Sequence, residues 1–260
     1  MSLLPRTAAV DAQGRLSIAG VDVLDAAEEF GTPLFLYDVA ELRHNFSTAV
    51  EIFGEGVAYA TKAFLTPHLA RLAAQEGMSF DVSTAGEYEC CRRAGVPASR
   101  LVLHGNNKHP DELVRAVEEG VQAIVVDNFD ELNRLTSITR RLRKSANVLV
   151  RINPGIEVHT HKYVATGNRE SKFGFPTWTS DADKAIGQVS AATYLKFRGL
   201  HMHIGSFVLE LDNFLQALDT AAPLVTTYEP ELLVVGGGLG LRYLNHDECP
   251  TFREWGEAIV

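Results

Sequence analysis

Short apolar segments recur in the middle of this chain at a nearly constant interval. They begin near Val57, Ser79, Leu101 and Gln122, which are 22, 22 and 21 residues apart. The stretches that follow them, at 66–76, 85–94, 111–119 and 130–143, have apolar residues at helical spacing. Apolar strands that alternate with amphipathic helices are typical of a parallel sheet covered by helices. The interval therefore predicts an α/β fold.

Three further strands continue the pattern, at 147–151, 198–203 and 231–235. A Gly-, Thr- and His-rich insertion at 153–176 separates the first of them from the second. No Gly-x-Gly-x-x-Gly turn follows the first strand of the series, which disfavours a dinucleotide-binding sheet and favours a (β/α)8 barrel. Pro67 and Pro110 mark helix starts, because a missing amide hydrogen is tolerated there.

A closed barrel of this type needs eight strands, and the pattern supplies seven before Val260. Residues 1–36 precede the repeating part and predict a strand at 15–18, a helix at 22–30 and a strand at 32–37. The last of these could in principle close the barrel, but we favour a barrel truncated before strand 8. The predicted organisation is an N-terminal segment at 1–36 and an incomplete barrel at 37–260.

Composition excludes some classes of function. The net charge is −9 and no basic block compensates for it, which argues against nucleic-acid binding. The first fifteen residues lack the apolar core of a signal peptide, and no later apolar stretch has the length of a membrane span. Cys90, Cys91 and Cys249 have no spacing typical of disulfides or metal sites. We therefore expect a cytoplasmic protein without nucleic-acid or membrane partners.

Polar residues follow nearly every predicted strand, at the end where barrel enzymes carry their functional groups. They are Lys62, Asp81 with Ser83, His104 with Asn106, Asp127, Arg151 with Asn153, His201 with His203, and the glycines 236–238. Single members have simpler explanations, since Asp81 and Asp127 could cap the following helices and Lys62 could be a solvated strand end. The joint pattern favours a site at this end of the barrel.

Lys62 belongs to the segment 57–63, whose composition predicts a buried strand. A lysine amine that loses its hydration at such a strand end can act as a nucleophile. Gly236, Gly237 and Gly238 follow the seventh strand, where phosphate sites recur in barrels, and glycine amides can approach an anion closely. Ser206 could add a hydroxyl donor. The lysine beside the glycine loop favours phosphate binding.

His201-Met202-His203 alternates on a predicted strand, so both imidazoles are expected on the same face. This spacing also suits a metal, and a metal-dependent hydrolase barrel is the main competing interpretation. That interpretation leaves Lys62 and the glycine loop without a role. One imidazole could instead stack on a flat aromatic ring, which requires no metal.

Six motifs together resemble the alanine-racemase-type barrel of the pyridoxal-phosphate decarboxylases. They are Tyr59-Ala-Thr-Lys-Ala63, Phe80-Asp-Val-Ser83, Arg151-Ile-Asn-Pro-Gly155, Lys172-Phe-Gly174, His201-Met-His-Ile-Gly-Ser206 and Gly236-Gly-Gly-Leu-Gly240. Within that family, His161-Lys-Tyr-Val-Ala-Thr-Gly167 followed by Ser171-Lys-Phe-Gly174 is similar to the diaminopimelate decarboxylases. The resemblance covers nearly the whole chain from Gly31 onward and keeps the order of the motifs.

The resemblance implies a role for each matching residue. Lys62 is expected to bind pyridoxal 5'-phosphate covalently, His203 to stack on its ring, and Arg151 to contact its phenolic oxygen. Ser206 and Gly236, Gly237 and Gly238 are expected to hold the phosphate. Asp81 is expected to fix the histidine and arginine side of the site, and Lys172 to border the substrate. The implied reaction is decarboxylation of meso-2,6-diaminopimelate to L-lysine and CO2, the last step of lysine biosynthesis.

The departures from the family pattern concern both single residues and whole segments. Phe207 stands where glutamine commonly follows the Gly-Ser pair, and Phe64 stands where asparagine often follows the Lys-Ala pair. The family's Glu-Pro-Gly-Arg segment on strand eight and its Cys-Glu-Ser-Gly-Asp segment are not in the sequence. In the family, a C-terminal β domain packs with residues like 1–36, and a homodimer shares its active sites. We therefore expect residues 1–260 alone to be inactive or nearly so.

Three alternatives remain open from the sequence. The substrate could be another basic amino acid, such as ornithine or arginine. The protein could bind pyridoxal phosphate without catalysis. A metal-dependent hydrolase that uses His201 and His203 is the third.

Overall fold

The N-terminal segment forms a small sheet that is separate from the rest of the strands. The computed structural model describes residues 3–156 and 166–260. Strands β1 (Ala9–Val10), β2 (Leu16–Ile18) and β3 (Val21–Asp22) pair antiparallel, and helix α1 (Val23–Phe30) follows. Asp22 begins that helix, because its carboxylate accepts hydrogen bonds from the first free amides. The predicted strand at 15–18 and the helix at 22–30 are confirmed.

The predicted strand at 32–37 is wrong. Residues 31–38 contain no strand, and they lead directly into helix α2 (Val39–Phe53). Pro33 removes one ladder donor, and the Phe35 side chain is 85% exposed rather than packed on a core. Tyr37 stacks on Phe64 with ring centroids 4.7 Å apart, so the segment is held by side chains and not by a neighbouring strand.

Strands and helices alternate from residue 58 onward, as the spacing predicts. The elements are β4 (Ala58–Ala60), α3 (Pro67–Gln75), β5 (Ser79–Val82), α4 (Ala85–Arg93), β6 (Leu101–Leu103), α5 (Pro110–Glu119), β7 (Ala123–Val126), α6 (Phe129–Leu142), β8 (Ala146–Asn153), β9 (Phe175–Pro176), α7 (Asp181–Ala191), β10 (Leu195–His201), α8 (Leu211–Tyr228), β11 (Leu232–Val234) and α9 (Phe252–Ile259). The main sheet is parallel, in the order β11-β10-β8-β7-β6-β5-β4, and the short β9 pairs with β8. It is an incomplete (β/α)8 barrel.

Local signals explain where the helices begin. Pro67 and Pro110 occupy the first turns of α3 and α5, as predicted. Thr84 accepts the hydrogen bond that caps α4, and Asn128 caps α6 in the same way. Asp81 and Asp127 are therefore not the caps of these helices, and the simpler explanation of the two carboxylates fails.

The core lies between the central strands and the helices, and the two edge strands are less buried. All four residues of β7 are buried, whereas Ala58 of β4 is exposed and all residues of β11 are half-buried. The prediction of a buried strand at 57–63 is thus wrong in its burial. In the described part of the chain no strand pairs with the outer edge of β4, so that edge lacks a covering neighbour.

The helical layer continues across the gap between β4 and β11, the two end strands of the main sheet. Helix α9 packs on α2, where the Phe53 and Trp255 rings lie 5.5 Å apart and Arg253 pairs with Glu51 at 3.0 Å. Trp255 also contacts Phe214 of α8. Within the described residues, the eight helices α2–α9 thus surround seven strands of the barrel, and the unpaired edges of β4 and β11 flank the gap. No helix in the described ranges is both long and apolar enough to cross a bilayer.

Candidate active site

The carboxyl ends of the strands surround a cavity of about 260 Å³. Its lining residues come from the loops after β4, β5, β6 and β10, from β8 and from the insertion: Lys62, Ser83, His104, Gly105, Asn106, Arg151, Thr166, Phe173, His203 and Ser206. The structure thus brings together side chains that are up to 144 residues apart in sequence, as the strand-end argument predicts.

Lys62 is placed by the residue before it. Thr61 is buried, its amide donates to the Asp81 carbonyl, and its hydroxyl contacts that carbonyl and the Glu87 carboxylate at 2.7 Å. This pairing fixes the backbone at the end of β4 beside β5. The Lys62 side chain itself is exposed. The desolvated amine that the sequence suggested is therefore not found in this structure, because β4 is an edge strand.

Arg151 is the most firmly held cation of the cavity. It is 3% exposed, and its Nη1 donates to Asp127 Oδ1 at 2.9 Å and to His104 Nε2 at 3.2 Å. The Phe173 ring covers the guanidinium, with its centroid 4.5 Å from Cζ. These contacts come from β6, β7 and the insertion, so Arg151 has little freedom to turn away from the cavity.

Asp81 continues the same set of hydrogen bonds. Its Oδ2 lies 3.3 Å from His104 Nδ1. Burial raises the pKa of this carboxyl, but the hydrogen bond from His104 and the nearby Lys62 charge outweigh it and leave the pKa of Asp81 below its usual range. Asp81 is therefore a carboxylate at neutral pH, and the positive charge of Lys62 is near enough to help lower its pKa.

The two histidines of the His-x-His pair occupy different places. The predicted strand at 198–203 is shifted, because β10 ends at His201, where its partner β11 ends. His203 lines the cavity from the loop, whereas His201 is buried against His104 with ring centroids 4.4 Å apart. Burial, with the Lys62 and Arg151 charges, lowers the pKa of His203 to about 3, so its imidazole is neutral at pH 7.

The metal interpretation of the His201–His203 pair gains no support from this arrangement. Among residues 3–156 and 166–260, the group of three or more side chains close enough to share a cation is Asp81, His104 and His201, with ligand atoms within 4.8 Å of one another. His203 is outside that group. The predicted two-histidine ligand pair is therefore not assembled in the described structure.

The glycine loop after β11 packs tightly on the loop after β10. Gly236 has φ of 77°, and a Cβ there would lie 2.6 Å from the Met202 carbonyl oxygen. Gly238 has φ of 92°, and a Cβ there would lie 1.9 Å from the Gly205 carbonyl oxygen. Only glycine fits at both positions. The close contact places the backbone of 236–238 next to His203 and Ser206, which both line the cavity.

The insertion closes one side of the cavity through Thr166 and Phe173. Lys172 is exposed and is not in the cavity lining, whereas its neighbour Phe173 is. Gly174 allows this approach, since a Cβ there would lie 2.9 Å from the Arg151 carbonyl oxygen. Thr166 donates to the His203 carbonyl at 3.0 Å. Of the motif His161–Gly167, residues 161–165 lie outside the described residues.

Asn106 and Ser83, which the sequence places at predicted strand ends, line the cavity. Asn153 is buried and is not among the lining residues. Asn153 donates to the Asn168 carbonyl and accepts from the Gly155 amide, so it shapes the start of the insertion. The only sequence signal for Phe173 is its place in the Lys-Phe-Gly motif. An apolar residue between a charged residue and a glycine does not by itself indicate a functional role.

Comparisons with known proteins give one consistent result. The family model described as pyridoxal-dependent decarboxylase, pyridoxal binding domain, matches residues 39–260. The diaminopimelate decarboxylase of Halalkalibacterium halodurans is 41% identical over 252 residues, which are 93% of this chain and 57% of that protein. The diaminopimelate decarboxylase of Bacillus subtilis is 40% identical over 259 residues, covering 95% of this chain and 59% of that protein.

A solved structure agrees with these relatives. The crystal structure of diaminopimelate decarboxylase from M. jannaschii in co-complex with L-lysine has a TM-score of 0.86 and 31% sequence identity. The match covers 98% of this chain and 62% of that one. The chain thus spans about three fifths of the length of the relatives it matches.

Proposed function

The chain belongs to the pyridoxal-dependent decarboxylase family, and from that premise we propose that the protein converts meso-2,6-diaminopimelate to L-lysine and CO2. The cofactor of this family is pyridoxal 5'-phosphate. The observation that carries the proposal is the joint presence of Lys62, Arg151, His203 and Ser206 in one cavity. The identity of about 40% to diaminopimelate decarboxylases supports the choice of substrate.

The residues present fit the cofactor. Its phosphate needs backbone amides that approach closely, and the 236–238 loop, which packs on the loop after β10 at Gly236 and Gly238, has open space at Gly237. Ser206 lines the same cavity and adds a hydroxyl. Its aromatic ring needs a flat, uncharged surface, and His203 is neutral. Its aldehyde needs an accessible amine, and Lys62 is exposed in the cavity.

Each side chain then has a defined task in the proposed mechanism. Bound pyridoxal phosphate supplies the electron sink that weakens the bond to the carboxylate. Lys62 would hold the cofactor through its Nζ amine. His203 would lie against the ring and keep its orientation, and the fixed Arg151 guanidinium would contact the phenolic oxygen. Asp81 keeps negative charge near Lys62. Lys172, which is exposed beside Phe173 and outside the cavity lining, would border the substrate from the insertion.

The remaining parts of the proposal concern the whole protein. An eighth strand fits the gap between β4 and β11, since the helical layer is already continuous there. Residues 1–36 belong to a β domain that is completed elsewhere, and the active sites are shared in a homodimer. Residues 1–260 alone are inactive or nearly so, because they span about three fifths of the relatives. Three free cysteines agree with a cytoplasmic location.

A cofactor and substrate assay tests this function. We expect added pyridoxal phosphate to give an absorbance band that borohydride traps covalently, and that Lys62→Ala abolishes. In the full-length protein, we expect lysine and CO2 to form from diaminopimelate faster than CO2 forms from ornithine or arginine. A faster reaction with ornithine or arginine would replace the substrate, and cofactor binding without any turnover would leave a noncatalytic binding protein. Absence of the band in folded protein would refute the proposal.

A further inference from the structure

His104 bridges two groups that the mechanism uses. It follows β6 directly, its amide donates to the Val82 carbonyl at 2.8 Å, and its residue surface is 5% exposed. Its Nδ1 lies 3.3 Å from Asp81 Oδ2, and its Nε2 lies 3.2 Å from Arg151 Nη1. Both ring nitrogens are therefore within hydrogen-bond distance of a charged group on a neighbouring strand end.

The chemistry of these neighbours determines where the imidazole proton lies. A guanidinium has only donors, so the bond between Arg151 Nη1 and His104 requires Nε2 to be the acceptor. The single proton of a neutral ring must then be on Nδ1, where Asp81 Oδ2 accepts it. A doubly protonated ring would place an N–H of its own against the N–H of Arg151, which is unfavourable. The geometry therefore selects the neutral Nδ1–H tautomer.

We propose that His104 is a positioning residue: as the neutral Nδ1–H tautomer it links Asp81 to Arg151 in one hydrogen-bonded chain and so sets the position of both toward the cofactor. The chain ends at Asp127, which accepts from the same Nη1 of Arg151 at 2.9 Å. It thus runs across the ends of four adjacent strands. The positioning role rests on the proposed function, because it concerns the cofactor, whereas the tautomer does not.

The groups around His104 support this assignment over a cation site. Asp81, His104 and His201 are close enough to share a cation, but the two nitrogens of His104 already face Asp81 and Arg151. A cation would have to displace the Arg151 contact and would then lie beside that guanidinium. Burial lowers the pKa of His201 well below the usual value and keeps its ring neutral. Asp81 would therefore be the one negative charge that this group offers to a cation.

The carbonyl next to His104 is also held. Lys108 Nζ donates to the Gly105 carbonyl at 2.5 Å and to Glu131 at 2.8 Å. A Cβ at Gly105 would lie 3.2 Å from the Ser83 carbonyl oxygen, so this turn packs closely against the loop after β5. The backbone that carries His104 is thus fixed from two sides, as a positioning residue requires.

The tautomer is tested by nitrogen NMR on cofactor-free protein labelled with ¹⁵N-histidine. We expect the His104 resonances, assigned by their loss in His104→Gln, to show a protonated Nδ1 and an unprotonated Nε2 in neutral buffer. A protonated Nε2 would overturn the inference. Stoichiometric zinc bound through His104 and His201 would overturn it too.

The positioning role is tested by three substitutions in the full-length protein. His104→Leu removes both hydrogen bonds, and we expect cofactor affinity and kcat to fall by about tenfold to a hundredfold. His104→Gln can place its carbonyl oxygen near the position of Nε2 and accept from Arg151, whereas His104→Asn reaches only as far as Nδ1. We therefore expect Gln to retain more cofactor affinity than Asn. The exposed His44→Leu, on α2, serves as the matched control and should be unchanged.

The outcomes separate the two proposals. If wild-type protein neither binds pyridoxal phosphate nor decarboxylates, the proposed function fails, while the NMR result still stands or falls by itself. If wild-type protein is active and His104→Leu keeps its cofactor affinity and kcat, the positioning role is refuted. Equal affinities of the Gln and Asn variants would also refute it, because a purely structural polar side chain predicts no such order.

Discussion

The buried ion pair between Lys108 and Glu131 gives the sharpest prediction about stability. The Lys108 side chain is 0% exposed and that of Glu131 is 3% exposed, with Nζ and Oε1 2.8 Å apart. Nζ also donates to the carbonyls of Gly105 and Val125 at 2.5 and 2.6 Å. All three hydrogens of the ammonium are thus used. Burial lowers the pKa of Lys108 and raises that of Glu131, and the charge of each partner opposes that change.

Lys108→Met keeps the apolar stem and removes the charge. The variant leaves a carboxylate without its cation and two carbonyls without a donor in the core. Breaking one side of a buried pair reduces the free energy of unfolding by about 3–5 kcal/mol. That is a large share of the roughly 5–15 kcal/mol by which a domain is stable. Lys108→Met/Glu131→Leu removes both charges, and we expect it to be at least about 2 kcal/mol more stable than the single variant.

Urea unfolding followed by circular dichroism measures these differences, with the two single variants and the double variant forming one cycle. Lys144→Met is the control, since its Nζ bonds the Glu118 carbonyl at an exposed position, and its effect should stay within about 0.5 kcal/mol. A loss below about 1 kcal/mol for Lys108→Met would refute the reasoning. Additive effects of the two single substitutions would refute it as well.

Three further outcomes follow from the site. Gly238→Ala should weaken pyridoxal phosphate binding, measured by absorbance titration, far more than Gly187→Ala on α7, because a Cβ at 238 meets a carbonyl oxygen at 1.9 Å and one at 187 meets nothing within 4 Å. Burial lowers the pKa of His203 to about 3, so the unfolded chain takes up its proton first. The free energy of unfolding should therefore fall below about pH 6.5 by up to about 1.4 kcal/mol per pH unit, and less steeply in His203→Gln. Phe173→Leu removes the ring over the buried guanidinium and should lower the free energy of unfolding by about 1 kcal/mol, whereas Lys172→Met should stay within about 0.5 kcal/mol.

The order of strands and helices could be predicted because its signals are local. Apolar segments, helix-starting prolines and capping residues each act within a few positions. The segment 32–37 has the composition of a strand, but a strand also needs a neighbour, and none pairs with it in the described structure. The exposure of β4 has the same cause. Whether a strand is buried depends on what lies beside it, and composition does not reveal that.

The site could be predicted only to the level of strand ends. Lys62, His203 and Ser206 line one cavity because parallel strands place their carboxyl ends together. The hydrogen bonds of His104 could not be predicted, because they depend on side-chain rotamers of residues 23 and 47 positions away. The same holds for Phe173, whose place over Arg151 depends on how the insertion folds back.

The two cations of the cavity differ in mobility in the way that the proposed mechanism requires. Lys62 must exchange one bonding partner for another, so it needs freedom to move, and its side chain is exposed in the loop after β4. Arg151 must face one atom throughout, and it is held on a central strand by Asp127, His104 and Phe173. A fixed group lowers the ordering cost of catalysis, whereas a group that exchanges bonding partners must also be able to move between them. The buried, hydrogen-bonded Arg151 and the exposed Lys62 therefore match the tasks proposed for them.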